Sequence, residues 1–277
     1  MAAIDHVDPI FKRYRVPAGG GGFKLADIDP QETTALPDRK AAEARFKEDV
    51  KAIVEIQNAF HACGKKALLC VFQAMDAGGK DGTVKRVFGP VNPAGIRVNS
   101  FKKPTDVELA HDYLWRVHQV VPRRGMIGIF NRSHYEDVLV VRAFNLAPPE
   151  RVEQRYDQIN AFEKHLAEND VVILKFFLHI SKDEQKERFQ ERLDEPHKHW
   201  KFNAGDVKVR EMWDTFMEVH ELAIARCSTD HAPWFVIPAN RNWYRNACVA
   251  RIVRQAIEAT EPEWPPLDPD AKGIKIV

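Results

Sequence analysis

Apolar residues gather along the chain in two patterns. Short continuous runs at 67–72 (ALLCVF), 96–101, 126–130 (MIGIF), 171–180 (VVILKFFLHI) and 234–237 predict five buried strands. Helical spacing appears at 37–63, where Phe46, Val50, Ile53, Ile56 and Phe60 recur at intervals of three and four. Gly64 then suits a helix C-cap. Further helices are predicted over 83–87, 106–118 (Leu109, Tyr113 and Val117 on one face), 149–168, 183–193 and 244–258. Ser133 opens another helix, and with Glu136 three residues later it reads as a capping box. Strands alternating with helices predict an α/β fold: a three-layer α/β/α body around a mostly parallel five-stranded sheet. Residues 1–40, with a four-glycine run at 19–22, read as an extended arm that either wraps over the body or stays mobile. Residues 41–261 read as the catalytic body, and 262–277 as a proline-rich tail over the surface.

Ligands of such sheets bind beyond the strand carboxyl ends, so the residues after each strand carry the chemistry. After the first strand stands QAMDAGGKDGTVKRV, residues 73–87. A glycine-rich turn leading into a helix makes a nest of backbone N–H groups for phosphate, here Ala77, Gly78, Gly79, Lys80, Asp81 and Gly82. Compared with G-x-x-x-x-G-K-[ST], Ala74 takes the first glycine position and Asp81 replaces the hydroxyl that holds magnesium. Asp76, four residues before Lys80, offers a carboxylate for the metal instead. The bland alternative is a tight turn with an exposed lysine.

After the 126–130 strand comes NRSHYED. The strand ends in Asn131, a weak metal partner, where an aspartate would orient magnesium. Arg132 is placed to contact phosphate, and Glu136 with Asp137 restores two carboxylates. The basic stretch 183–210, broken by Pro196, Asn203 and Gly205, reads as either a solvated helix or a lid that excludes water. Glu184 and Arg188 form an i,i+4 pair on it. His134, His197 and His199 read as lid or helix-surface residues, and Trp200, Trp213 and Trp243 as core packing.

The blocks MDAGGKDG, FNRSHYEDV, LDEPHKHWKFNAGD and APWFVIPANRNWYRN, in this order, resemble the polyphosphate kinase 2 family. The resemblance runs from about residue 65 to 257. It implies a P-loop kinase-like fold with a helical lid at about 183–215. It also implies phosphoryl transfer between inorganic polyphosphate and a nucleoside mono- or diphosphate, with magnesium or manganese as cofactor. Asp76 matches the metal-positioning aspartate, Lys80 the Walker A lysine and Arg132 the arginine after the Walker B strand. Arg188, Arg192, Lys198 and Lys201 fall in the lid block. Lys85 and Arg86 are expected to line the polyphosphate groove, and Phe101, Lys102, Asn131 and Glu136 to face the nucleotide. Many members carry Asp-Arg-Ser-x-Tyr-Asn-Arg at the second loop, whereas this chain has Asn131 and Glu136 at the first and sixth positions. That exchange looks like the class III branch, whose members accept mono- and diphosphates, and it gives Asp76 and Glu136 as metal ligands.

Composition narrows the partners. Lys plus Arg total 41 and Asp plus Glu 40, so any basic groove is local, and nucleic-acid binding is not expected. A 44% hydrophobic and 29% charged chain is globular. No run approaches the roughly 20 apolar residues of a membrane span. Four scattered cysteines and no signal-peptide core suit a reduced, cytoplasmic protein. A dimer or tetramer is expected. The rivals are an ATP-dependent nucleoside monophosphate kinase, disfavoured by Asp81, and a non-catalytic polyphosphate or nucleotide binder.

Overall fold

A computed structural model describes residues 8–275. The helices are α1 (Pro9–Tyr14), α2 (Arg39–Cys63), α3 (Lys80–Phe88), α4 (Asp106–Leu109), α5 (Trp115–His118), α6 (Glu136–Ala143), α7 (Pro149–Glu168), α8 (Lys182–Asp194), α9 (Ala204–Glu211), α10 (Trp213–Cys227) and α11 (Asn242–Glu258). The strands are β1 (Ala67–Gln73), β2 (Ile96–Ser100), β3 (Ile127–Asn131), β4 (Val171–His179) and β5 (Trp234–Pro238).

All five strands are parallel, in the order β2-β3-β1-β4-β5. Leu68 pairs with Ile127 on one side and Val172 on the other, so β1 lies at the centre, buried at every position. The crossover helices cover both faces: α2, α3 and α11 pack together on one, and α6, α7 and α10 on the other. This is the three-layer P-loop kinase-like arrangement, and it brings the carboxyl ends of the central strands β1, β3 and β4 together at one rim. The caps follow the sequence. Asp38 accepts from the Ala41 N–H to start α2, and Gly64, at φ +61°, ends it.

The structure differs from the sequence reading in four places. First, β2 is not buried: it is an edge strand, and Arg97, Val98 and Ser100 on it are exposed. Second, 106–118 is not one helix. Thr105 and Glu108 cap the short α4, and the Asp112 carboxylate then takes the Leu114 N–H at 2.9 Å, diverting the backbone from a continuous ladder. Third, the N-terminal segment is not wholly extended. Asp8 caps α1, which buries Ile10, Phe11 and Tyr14, while Arg15 bridges Phe235 antiparallel and the Val16 N–H donates to the Trp234 carbonyl at 2.9 Å. That contact covers the outer edge of β5. Residues 1–7, part of the same expected arm, and 276–277, the end of the expected tail, lie outside the described residues. Fourth, α10 went unread, although Trp213, Phe216, Val219, His220, Ala223, Ile224 and Cys227 are buried along it at helical spacing.

Candidate active site

The loop after β1 turns sharply because Gly79 sits at φ +95°, and a Cβ there would fall 2.0 Å from the Arg245 guanidinium. Only glycine fits. The turn closes through the Gly78 N–H to the Met75 carbonyl at 2.9 Å. Lys80, the first residue of α3, is buried and folds back over the loop, donating to the carbonyls of Ala74 at 3.0 Å and Met75 at 3.5 Å. Burial, and then the charge of Arg132, push its ammonium down to about 8, against the opposing pull of Asp76, Glu136 and Asp81.

Arg132 follows β3 in the left-handed region at φ +60°, its N–H held by the Phe72 carbonyl at 3.0 Å. Its guanidinium donates to Asp76 at 2.5 Å and lies 3.6 Å from Glu136. Burial alone would lower the pKa of this group; Glu136, Asp76 and Asp206 outweigh it and hold the guanidinium above its ordinary value. Asp76, Arg132, Glu136 and Asp206 line a cavity of about 330 Å³ whose far wall includes Val140, Phe144 and Phe216. Asp206 stands on α9, beside Arg192 at 3.5 Å; burial and the nearby Asp76 raise its pKa. Asn131 donates to Asp81 at 2.5 Å, tying the end of β3 to the first turn of α3. A larger cavity of about 460 Å³ opens beside Asp137, between α4–α5 and α7, lined by Tyr113, Arg116, Arg151 and Arg155 among others.

The other residues singled out in the sequence scatter around this centre. Arg188 pairs with Glu184, as the spacing suggested, and also donates to the carbonyls of Ala77 and Ala239 at 2.9 and 2.8 Å, bracing the glycine-rich loop from behind. Arg192 donates to the Lys201 carbonyl at 3.0 Å, and Lys198 is paired with Glu191 and Glu195. Lys201 lies over the Trp200 ring. Lys85 and Arg86 are exposed on α3. Phe101 meets Phe130 edge-on and carries the Arg116 guanidinium over its ring, while Arg116 donates to the carbonyl of the exposed Lys102.

Some local readings fail. Ser133 forms no capping box: its Oγ accepts from the Tyr135 N–H and from Gln73, and α6 starts only at Glu136, whose carboxylate faces Arg132. His134 is not on the surface but buried 3.1 Å from Glu163. Trp200 is not core but 78% exposed, because the 3-10 turn Pro196–Lys201 turns it away from the body. Three participants were missed. Gln185 donates to the Asp76 carbonyl at 2.9 Å, Asp206 reaches the cavity, and the buried Arg245 stands behind Gly79. Arg245 is satisfied by Asn242 and Asn246, and burial and Arg188 push it down to about 9. Asp206 and Arg245 both lie within blocks already singled out, but nothing local gives either a role.

Among the described residues, no group of three or more His, Cys, Asp or Glu side chains is arranged to hold a metal ion. Asp76 and Glu136 share a guanidinium, not an all-protein cage. This donor set fits magnesium, which binds through one or two carboxylates together with substrate phosphates and water.

A parallel sheet in this order, with a glycine-rich turn, buried lysine and arginine at the β1 and β3 ends, defines a P-loop kinase-like protein. The family model for polyphosphate kinase 2 (PPK2) matches residues 37–265. The chain is 51% identical to an AMP/ADP-polyphosphate phosphotransferase of Meiothermus ruber, over 96% of this chain and 99% of that one. It is 39% identical to an ADP-polyphosphate phosphotransferase of Rhodopseudomonas palustris, over 93% of each. Polyphosphate kinase 2 from Arthrobacter aurescens superposes with a TM-score of 0.87 at 40% identity, covering 92% of this chain and 94% of that one. The chain belongs to the polyphosphate kinase 2 family.

Proposed function

We propose that this protein transfers a terminal phosphoryl group between inorganic polyphosphate and a nucleoside mono- or diphosphate, converting AMP to ADP and ADP to ATP. The observation that carries this reading is one guanidinium, Arg132, held between Asp76 and Glu136 beside the buried Lys80. Donor and acceptor are both anions, so their approach demands alignment and cancellation of charge more than covalent help. The N–H nest of 77–82 binds the phosphates of one substrate, and Lys80 swings from its carbonyls to their oxygens. Arg132 clamps the transferring group. An oxygen of the acceptor phosphate attacks the terminal phosphorus, the bridging P–O bond breaks, and the shortened polyphosphate leaves with that bond's electron pair. Magnesium, when bound, supplies charge neutralisation between the two chains, and Asp76 and Glu136 are the residues that would hold it.

Residues 183–215 act as the lid, with Asp206 and Arg192 paired on it and Arg188, Arg192, Lys198 and Lys201 attracting the polyanion. The nucleoside occupies the 460 Å³ cavity beside Asp137, next to the Phe101–Arg116 contact. Neither ATP nor any protein nucleophile is needed. Purified protein incubated with long-chain polyphosphate, magnesium and AMP, without ATP, is expected to yield ADP and then ATP. No product there, with ADP formed from ATP plus AMP, would replace this reading with the monophosphate kinase. Tyr113→Ala is expected to raise the KM for AMP and leave that for polyphosphate unchanged.

A further inference from the structure

Behind the Arg132 loop lies an ionic cluster with no access to solvent. Lys175 on β4 and Glu163 on α7 are 0% exposed, as is Tyr135, and His134 is 1% exposed. Lys175 donates all three of its protons: to Glu163 at 2.5 Å, to the Tyr135 hydroxyl at 2.8 Å and to the Cys227 carbonyl at 2.6 Å. Tyr135 in turn donates to the other oxygen of Glu163 at 2.9 Å, and His134 reaches that same oxygen at 3.1 Å. Two successive residues of the loop are thus bonded to one carboxylate from the neighbouring helix.

Stability alone does not call for such a group, since apolar residues of similar volume commonly serve a core as well as a buried ion pair. The need lies in the loop. Between the end of β3 and the start of α6, residues 132–135 have no regular ladder, and Arg132 sits in a conformation that non-glycine residues avoid. Such strain persists only where the surroundings over-determine it. The Phe72 carbonyl fixes the loop at Arg132, and the cluster fixes it three residues later at Tyr135.

We infer that Lys175, Glu163 and Tyr135 form a positioning device for Arg132, holding its guanidinium in line with the transferring phosphoryl group; this rests on the reading of Arg132 as the phosphate clamp. The test is a double-mutant cycle in the full chain with Tyr135→Phe, Arg132→Lys and both together, reading kcat, KM and melting temperature. Tyr135→Phe is expected to lower kcat about tenfold by displacing the clamp, with the KM for AMP changed less than about twofold. In the Arg132→Lys background the same change is expected to cost less than about twofold, because the group it positions is already gone. An equal loss of kcat in both backgrounds, or a lower melting temperature with kcat intact, would overturn the inference. If Arg132→Lys itself leaves kcat unchanged, the clamp reading fails first, and the inference with it. Should Tyr135→Phe not fold, His134→Leu enters the same cycle, with His134→Gln, which restores a donor to Glu163, expected to recover kcat. A failure of that recovery counts against the device.

Discussion

Replacing Lys80 by methionine should stabilise the fold while removing the activity. The ammonium is held at about 8 against an ordinary 10.5, so keeping it charged in the folded state costs roughly 3 kcal/mol. Methionine has nearly the same length and carries no charge, but it abandons the bonds to the Ala74 and Met75 carbonyls. Those bonds are worth about 1 kcal/mol each, the longer one less, which leaves a net gain of roughly 1–2 kcal/mol at pH 7. The dependence on pH is the sharper signature. Below about pH 8 the lysine is charged in both states and the penalty is complete. Between about 8 and 10.5 the unfolded chain binds more protons than the folded one, so wild-type stability rises with pH through that window. The methionine variant lacks this rise, so its advantage should shrink and then reverse. Urea unfolding of both proteins at pH 7, 9 and 10.5 measures the difference directly, and phosphotransferase activity should fall by roughly 10²–10³. A variant less stable than wild type at pH 7, with a difference that does not move with pH, would refute the claim that the site stores this charge at a cost to the fold.

Asn131→Asp with Glu136→Asn should shift the ratio of AMP to ADP use, because it returns the carboxylate to the β3 end and sets it against Asp81; an unchanged ratio would show that the exchange does not govern the choice between mono- and diphosphate. Acid should weaken the fold through His179 and His220, which burial pushes down to about 4. As pH falls from 6.5 to 4 the unfolded chain takes up their protons first, costing up to roughly 3 kcal/mol each, and His220→Gln should narrow the gap in urea midpoint between pH 7 and 4.5. Deleting residues 1–16 should expose the β5 edge and remove Ile10, Phe11, Tyr14 and Val16 from the core, at roughly 1.5–3 kcal/mol for each large side chain; a soluble protein with the full chain's oligomeric state in light scattering and an unchanged midpoint would contradict this.

What could be seen in the sequence divides along a physical line: how far the chain must travel to make a contact. The helix over 149–168 and the strand at 171–179 were visible because their signal is a local period, and the cap at Gly64 because it depends on one residue's backbone. The glycine-rich turn after β1 was visible for the same reason, whereas the fold of Lys80 back onto the Ala74 carbonyl, only six residues away, was not. Contacts made at a distance were another matter. His134 looked like a surface residue because its partner, Glu163, lies 29 positions away on a helix whose apolar stripe it interrupts. Trp200 looked like core because its size suggested it, whereas the turn begun at Pro196 faces it outward. The break at Asp112 was hidden for the opposite reason, since an apolar period at Leu109, Tyr113 and Val117 outweighed a single side chain competing for the backbone.

The link between Asp76 and Arg132 spans 56 positions, and no spacing rule reaches it. The sheet makes it, because β1 and β3 are neighbours in register from Leu68 opposite Ile127 to Phe72 opposite Asn131, so the residues beyond each strand emerge side by side. Family resemblance supplied these two residues separately; adjacency of strands explains why they meet. The same adjacency limits what mutation can do. A change in the β1–β3 register by one residue would turn every side chain on the shifted strand to the opposite face and separate Arg132 from Asp76. Core substitutions in β3 that loosen this pairing, such as Ile129→Ala, should therefore cost phosphoryl transfer before they unsettle the turn at Gly78–Gly79, which follows β1 and is braced by Arg188 from α8.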